Sequence, residues 1–231
     1  MSGGLHSGHR ARMRERYIKE NGLDSFAEHE ALELLLFYCV PQKDTNEMAH
    51  RMLREYGSLA NLFDAPPADI ARRCKVSENT SILISMMPQL AKRYFQSKWD
   101  KNVRLVSSQL AGQYLVDMFR GRNTEAFYIL CLDAQRRLNN AVLVSEGTVE
   151  EAPIYMRNIV QTALLHNSVG VVLSHNHPGG SVSASGADIE ATRQIIRSFE
   201  LLEISVLDHI IVAGSKYFSF AENGGLLGLR Y

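Results

Sequence analysis

A short apolar run in the C-terminal half of the chain constrains the fold most strongly. Residues 169–173 read Val-Gly-Val-Val-Leu without a polar interruption. A continuous run of this length predicts a β-strand that is buried on both faces, and such a strand needs helices packed on both sides of its sheet. We therefore expect an α/β domain in this part of the chain.

The hydrophobic period changes near residue 100. Before it, apolar residues recur at helical spacing, and the predicted helices cover 9–20, from Asp24 to Pro41, from Thr45 or Asn46 to Gly57, a short segment from Pro66-Pro67, and 77–98. Beyond it, strands are predicted at 127–132, 140–144, 169–173, 206–212 and 217–220, with helices beginning at Pro153 and Ser185. We expect a helical domain over 1–100, built as a compact bundle, and an α/β (α+β) sheet domain over 101–231.

Composition excludes several classes of protein. Hydrophobic residues make up 45% of the chain, which is enough for a globular core. The longest apolar stretch, 32–40, is too short to cross a bilayer and contains Glu33. The basic segment 1–16 has no apolar core, so we expect no secretory signal peptide. Three scattered cysteines without a C-x-x-C pair favour a reducing compartment, and we expect a cytoplasmic protein.

The charge balance argues against a dedicated nucleic-acid binder. Lys and Arg number 25 and Asp and Glu number 25, so the chain has no basic surplus. One local exception lies in the first predicted helix, which carries Arg10, Arg12, Arg14, Arg16 and Lys19. We interpret this run as a solvated helix face, because surface charge is more common than a phosphate-binding arm.

A pair of histidines follows the buried strand directly. If the extended conformation continues, His175 and His177 point to the same side and their rings converge. Ser185 and Asp188 open the next helix, three residues apart, and can both face the histidines. Two imidazoles and one carboxylate leave the fourth position of a tetrahedral zinc ion for water, which is the arrangement of a catalytic zinc site.

The same residues also have a purely structural interpretation. A His-x-His pair occurs often by chance, and Ser185-x-x-Asp188 fits a capping box at a helix start. Their location favours function, because α/β proteins place their sites at the carboxyl ends of strands and at the starts of the following helices. Both interpretations can hold together.

The spacing H-x-H-x7-S-x2-D resembles the JAMM motif of JAB/MPN domain metalloproteases. The segments 173–180, 188–193 and 207–212 look like the bacterial RadC family, and 30–38 and 56–59 look like its helical N-terminal region. The resemblance covers nearly the whole chain. It implies a cytidine-deaminase-like fold that holds one Zn²⁺ through His175, His177 and Asp188.

The resemblance also implies a zinc-dependent metallopeptidase or isopeptidase-like hydrolase acting on a peptide or protein. In active relatives an upstream glutamate acts on the attacking water, and a serine in the position of Ser185 stabilises the oxyanion. Glu125 is our candidate for that glutamate, because it leads into the first strand, and Glu146 is the alternative. The chemistry requires a carboxylate that takes a proton and returns it to the leaving amine.

Two features leave other interpretations open. Family members commonly carry a G-I-G-like helix-hairpin-helix turn, whereas residues 75–81 here contain no glycine, so we expect a degenerate hairpin and weak DNA binding. The alternative function is a DNA-repair- or recombination-associated binding protein whose JAB domain holds zinc without peptidase activity. Asp208 and His209 can orient a ligand imidazole, although a histidine in an apolar run is more often a core residue.

Overall fold

The chain divides into two compact units, Met1–Ala91 and Lys92–Tyr231. The computed structural model describes residues 8–41, 43–100, 102–147 and 152–228. Residues 1–7, which begin the segment in which no signal peptide is expected, lie outside the described residues.

The first unit is helical. Its helices are α1 His9–Glu20, α2 Glu28–Leu36, α3 Thr45–Tyr56, α4 Leu59–Asp64, α5 Pro67–Cys74 and the first part of α6 Glu78–Ser97. Asp44 begins α3 by accepting hydrogen bonds from the amides of the first turn, and Gly57 ends it at a φ of 79°. Fully buried side chains from five of the helices, including Leu36, Met52 and Ile84, form the core.

The first unit differs from the sequence-based prediction at the start of α2 and in having an additional helix, α4. The start of α2 is at Ala27, not at Asp24, because the Glu30 carboxylate accepts a hydrogen bond from the Ala27 amide at 2.9 Å. Helix α4 was not predicted, since six residues are too few for a helical period to show. Its start is fixed by Ser58, whose hydroxyl oxygen accepts a hydrogen bond from the Asn61 amide.

The turn between α5 and α6 keeps a left-handed residue without glycine. Lys75 ends α5 at a φ of 52° and donates its amide to the carbonyl of Ala71. A side chain with a Cβ atom adopts this conformation at some cost. We expected residues other than glycine to resist such geometry. Lys75 nevertheless adopts it, so the left-handed turn is present without glycine.

The second unit is built on a mixed five-stranded sheet. In chain order its elements are α7 Ser108–Phe119, β1 Ala126–Leu132, β2 Leu138–Glu146, α8 Ala152–Leu165, β3 Gly170–Asn176, α9 Gly186–Glu200, β4 Ser205–Ala213, β5 Lys216–Ser219 and α10 Gly225–Gly228. The strand order is β2-β1-β3-β4-β5, and only the β3–β4 pair is parallel. The predicted α/β fold class is confirmed.

Helices cover both faces of this sheet. On one face, α7 packs Leu115 and Phe119 against residues that include Leu130 and Val172. On the other face, α8 and α9 contribute a second cluster that includes Ile159 and Phe199. Every residue of β3 is buried, as the apolar run predicted. Because α9 connects the parallel strands β3 and β4, it begins near the edge where β3 ends.

None of the helices in the described part of the chain has both the length and the apolar content that crossing a bilayer requires.

Candidate metal centre

The two histidines of the His-x-His pair converge at the end of β3. Their Nε2 atoms lie 2.9 Å apart. His175 belongs to β3 and is 2% exposed, and His177 follows the strand by one residue. The amide of His177 donates to the carbonyl of Val212 in β4 at 2.8 Å, so the chain stays alongside β4 past the end of β3. Residues i and i+2 therefore point to the same side, as the spacing predicted.

Asp188 brings a carboxylate to the same point from the first turn of α9. Its Oδ1 atom lies 3.2 Å from Nε2 of His175, and its Oδ2 atom lies 3.8 Å from Nε2 of His177. The structure thus brings together all three side chains that the motif assigned to the metal.

Ser185 and Asp188 form the capping box as well. The amide and the hydroxyl of Ser185 both donate to Asp188 Oδ2 at 2.7 Å, and the Asp188 amide donates back to Ser185 Oγ at 3.1 Å. The structural and functional interpretations of this pair therefore coexist. In this structure the Ser185 hydroxyl orients the carboxylate of Asp188.

The other ring nitrogen of each histidine is held by a partner. Nδ1 of His177 lies 2.8 Å from the carbonyl oxygen of Ser181, and Nδ1 of His175 lies 2.9 Å from Nε2 of His209. A carbonyl oxygen only accepts, so His177 carries its proton on Nδ1 and its Nε2 lone pair faces the site. Hydrogen bonds of this kind fix the ring orientation of metal-binding histidines in proteins.

Asp188 is ionised in this environment. Burial raises the pKa of its carboxyl group, but hydrogen bonds with His175 and with the hydroxyl and amide of Ser185 outweigh burial and hold the pKa below its ordinary value. A carboxylate and two imidazole nitrogens then converge on one point. These groups fit a bound cation.

Glu125 and Glu146 occupy different environments. Glu125 immediately precedes β1 and is exposed. One of its carboxylate oxygens, a ring nitrogen of His175 and a ring nitrogen of His177 all lie within 4.8 Å of one another. Glu146, at the end of β2, accepts hydrogen bonds from Arg122 Nη1 at 2.7 Å and from the Thr124 hydroxyl at 2.9 Å. Of the two candidates for the base, Glu125 is the one that faces the histidine pair.

Asn176 fixes the backbone on both sides of Glu125. Its Oδ1 atom accepts from the Ala126 amide at 2.9 Å, and its Nδ2 atom donates to the Thr124 carbonyl at 3.0 Å. The residue between the two histidines thus ties β1 to the metal centre. Sequence analysis missed this role, since an asparagine between two histidines carries no recognisable signal.

Asp208 and His209 have separate roles. His209 is 1% exposed and contacts His175, so it is both a core residue and a partner of a candidate ligand. Our preference for a purely core histidine was incomplete. Asp208 instead accepts hydrogen bonds from the Ser219 hydroxyl and the Ala221 amide, and it stabilises the chain after β5.

A cleft of about 400 Å³ opens beside the histidine pair. Its lining includes Glu125 just before β1, Phe127 in β1, Ser145 in β2 and Gly147 just after it. The first turns of α9 line it as well. The α9 residues Ala187 and Ala191 that line it have small side chains.

Comparison with known proteins agrees with this arrangement. The family model described as the RadC-like JAB domain matches residues 105–226, which include every residue of the candidate metal centre. The chain belongs to the RadC family. Its JAB domain is the five-stranded unit described above, and the motif that suggested the resemblance lies at the end of the central strand of that unit.

Relatives of this RadC family member match over nearly their whole length. A UPF0758 protein of Fusobacterium nucleatum is 31% identical over 225 residues, which is 94% of this chain and 96% of the relative. A UPF0758 protein of Vibrio cholerae serotype O1 is 34% identical over 211 residues, which is 91% of this chain and 94% of the relative. The helical unit is therefore shared with these proteins, along with the JAB domain.

Proposed function

We propose that this RadC protein is a zinc-dependent hydrolase of amide bonds, a metallopeptidase or isopeptidase-like enzyme. The observation that carries the proposal is the convergence of two imidazole nitrogens and a carboxylate, with a second carboxylate, that of Glu125, within reach of the pair. Two histidines and one carboxylate form a common ligand set of catalytic zinc sites.

The distances fit zinc. Ligand bonds of about 2.0–2.2 Å in a tetrahedral site imply about 3.3–3.6 Å between neighbouring ligand atoms. The two Nε2 atoms lie 2.9 Å apart, Oδ1 of Asp188 lies 3.2 Å from Nε2 of His175, and Oδ2 of Asp188 lies 3.8 Å from Nε2 of His177, so these separations are close to that range. When bound, zinc supplies Lewis acidity and lowers the pKa of a coordinated water to about 7.

The protein side chains supply the proton transfers. Glu125 takes a proton from the attacking water and passes it to the nitrogen of the departing amine, so amide and water become carboxylic acid and amine. Ser185 holds Asp188 and, through rotation of its hydroxyl, can donate a hydrogen bond to the developing oxyanion. His175, Asp188 and Glu125 all line the cleft, in which a substrate carbonyl would approach.

A peptide-library cleavage assay with the full-length protein tests this proposal. We expect cleavage that depends on added zinc and disappears in Glu125→Gln. A zinc-loaded wild-type protein that cleaves no member of a diverse library of peptides and isopeptides would contradict hydrolysis, although the metal site would stand.

One observation favours the alternative function, a DNA-binding protein. Lys75, which ends α5 in the left-handed conformation, is a cation in the stretch that corresponds to the helix-hairpin-helix turn of the family. The basic face of α1 contributes less, because Arg10 donates to the carbonyls of Val40 and Lys43, and Arg16 pairs with Glu20 and Glu30. Weak, sequence-independent contact with DNA is therefore the most that this unit supports.

A further inference from the structure

A chain of hydrogen bonds connects the backbone of one candidate ligand to the ring of another. The Thr192 hydroxyl donates to the backbone carbonyl of Asp188 at 2.5 Å and lies 2.6 Å from Nδ1 of His209. Nε2 of His209 lies 2.9 Å from Nδ1 of His175. Thr192, His209 and His175 are 0%, 1% and 2% exposed, so water does not replace these contacts.

The direction of each hydrogen bond follows from the chemistry of the groups. A carbonyl oxygen only accepts, and a hydroxyl has a single proton, so the Thr192 proton points to Asp188. This is the contact that a helical threonine makes with the carbonyl four residues earlier. The Thr192 oxygen is then left as an acceptor, and His209 must donate to it from Nδ1.

His209 carries only that one ring proton. Its ring is 1% exposed and stacks on the ring of Phe220 at 5.0 Å, and its two nitrogens face Thr192 and His175, so a second proton would be a buried charge without a carboxylate hydrogen bond. With the proton on Nδ1, Nε2 of His209 accepts from Nδ1 of His175. Nε2 of His175, on the side of His177 and Asp188, is thereby the ring nitrogen left for a metal ion.

We propose that Thr192 and His209 are positioning residues that set the tautomer of His175 and so present its Nε2 lone pair to the metal. This inference rests on the proposed metal site and extends it. The carbonyl of Ser181 fixes the ring of His177 directly, whereas Nδ1 of the deeper His175 has a ring nitrogen of His209 as its partner. His209 takes that place, and its own tautomer is fixed by Thr192.

Zinc affinity of the full-length protein, measured by competition with a chromophoric chelator, tests the role of the Thr192 hydroxyl. Thr192→Val removes the hydroxyl at nearly constant volume, and we expect affinity to fall about 10- to 100-fold, as is typical when a partner of a metal ligand is removed. Thr192→Ser retains the hydroxyl and should restore most of the affinity.

Thr80→Val is the matched control. Thr80 is 1% exposed and its hydroxyl bonds to Ser77, far along the chain from the metal centre. The control loses a buried hydroxyl of the same kind, and we expect its zinc affinity to equal that of the wild type. Equal losses in Thr80→Val and Thr192→Val would assign the effect to general destabilisation and overturn the proposal.

Long-range ¹H–¹⁵N spectra of the metal-free protein read the tautomers directly. We expect the proton of His209 on Nδ1 in the wild type and in Thr192→Ser, and a mixture of tautomers in Thr192→Val. A His209 proton on Nε2 in the wild type would overturn the proposal. If the wild type binds no zinc, the proposed function fails, but these spectra still decide whether Thr192 determines the tautomer of His209.

Discussion

Ser185 donates both its amide and its hydroxyl to one carboxylate oxygen of Asp188, and the other oxygen of Asp188 lies 3.2 Å from Nε2 of His175. The hydrogen bonds that begin α9 are thus the same ones that aim a candidate ligand at the metal centre. Helix initiation and ligand orientation depend on a single pair of residues, and a change at Ser185 acts on both.

Ser185→Ala is therefore expected to weaken α9 and the metal site together. Loss of an N-terminal cap costs about 0.5–2 kcal/mol, which corresponds to a fall of a few degrees in thermal midpoint for a protein of this size. Zinc affinity should fall about tenfold, because Asp188 loses a partner. Thermal unfolding and chelator competition measure the two effects. Ser183→Ala, in the same loop, is the control. A Ser185→Ala variant with the thermal midpoint and zinc affinity of the wild type would contradict the link between helix initiation and ligand orientation.

His175→Ala and His177→Ala should each remove most of the bound zinc. Loss of one of three protein ligands weakens metal binding by orders of magnitude, because affinity depends on ligand number and geometry. Elemental analysis of purified protein should give close to one zinc per chain for the wild type. His166→Ala, which removes a histidine that contacts Asn140 on the sheet, should retain the metal. Full occupancy in the double variant would refute the assignment.

Glu125→Gln should abolish turnover and leave zinc content and fold intact. A carboxamide can neither accept the proton of the attacking water nor protonate the leaving amine. Glu146→Gln loses an exposed ion pair with Arg122, worth about 0–1 kcal/mol, and should keep its activity. Ser185→Ala should fall between Glu125→Gln and the wild type in kcat. If Glu125→Gln retained activity and Glu146→Gln lost it, Glu146 rather than Glu125 would be the general base.

Asn176→Ala should reduce kcat and leave zinc content near that of the wild type. The substitution frees the Thr124 carbonyl and the Ala126 amide, so Glu125 is no longer held, and a displacement of about 1 Å at a catalytic group can cost about 100-fold in rate. Steady-state kinetics and elemental analysis check this. Asn140→Ala, on β2, serves as the control. A change confined to KM would argue against a role in placing the base.

The full-length protein should bind duplex DNA weakly and without sequence preference. Phosphate affinity depends on free cationic groups and falls steeply with salt, and the chain has no net positive charge. A gel-shift assay across a salt series measures it. A sub-micromolar complex at physiological salt would point to Lys75 and to the exposed cations of α1, with Lys75→Glu as the variant that identifies the contact.

Sequence patterns predicted the parts of the site that are close together in the chain. The buried run before His175 specified a central strand, and the residue spacings placed His175, His177 and Asp188 on facing sides of one loop. Those inferences rest on fixed strand and helix periods, which local sequence determines.

The residues that were missed or left open act through tertiary contacts. Asn176 reaches a strand that precedes it by 50 residues, and His209 is brought to His175 by pairing of β3 with β4. Glu125 and Glu146 both end up near the same sheet edge, and only the register of β1 against β2 and the position of Arg122 separate them. No local pattern contains that information.

The three candidate ligands lie on one continuous stretch of chain, from the end of β3 through a short loop to the first turn of α9. Closing a loop as short as residues 178–187 costs little chain entropy, whereas bringing Glu125 into place requires β1 to pair with β3. We therefore expect a partly unfolded chain in which β1 has detached to keep the three candidate ligands together and to lose Glu125 from the site. On the proposed function, such a chain would hold the metal ligands together without the base that hydrolysis requires.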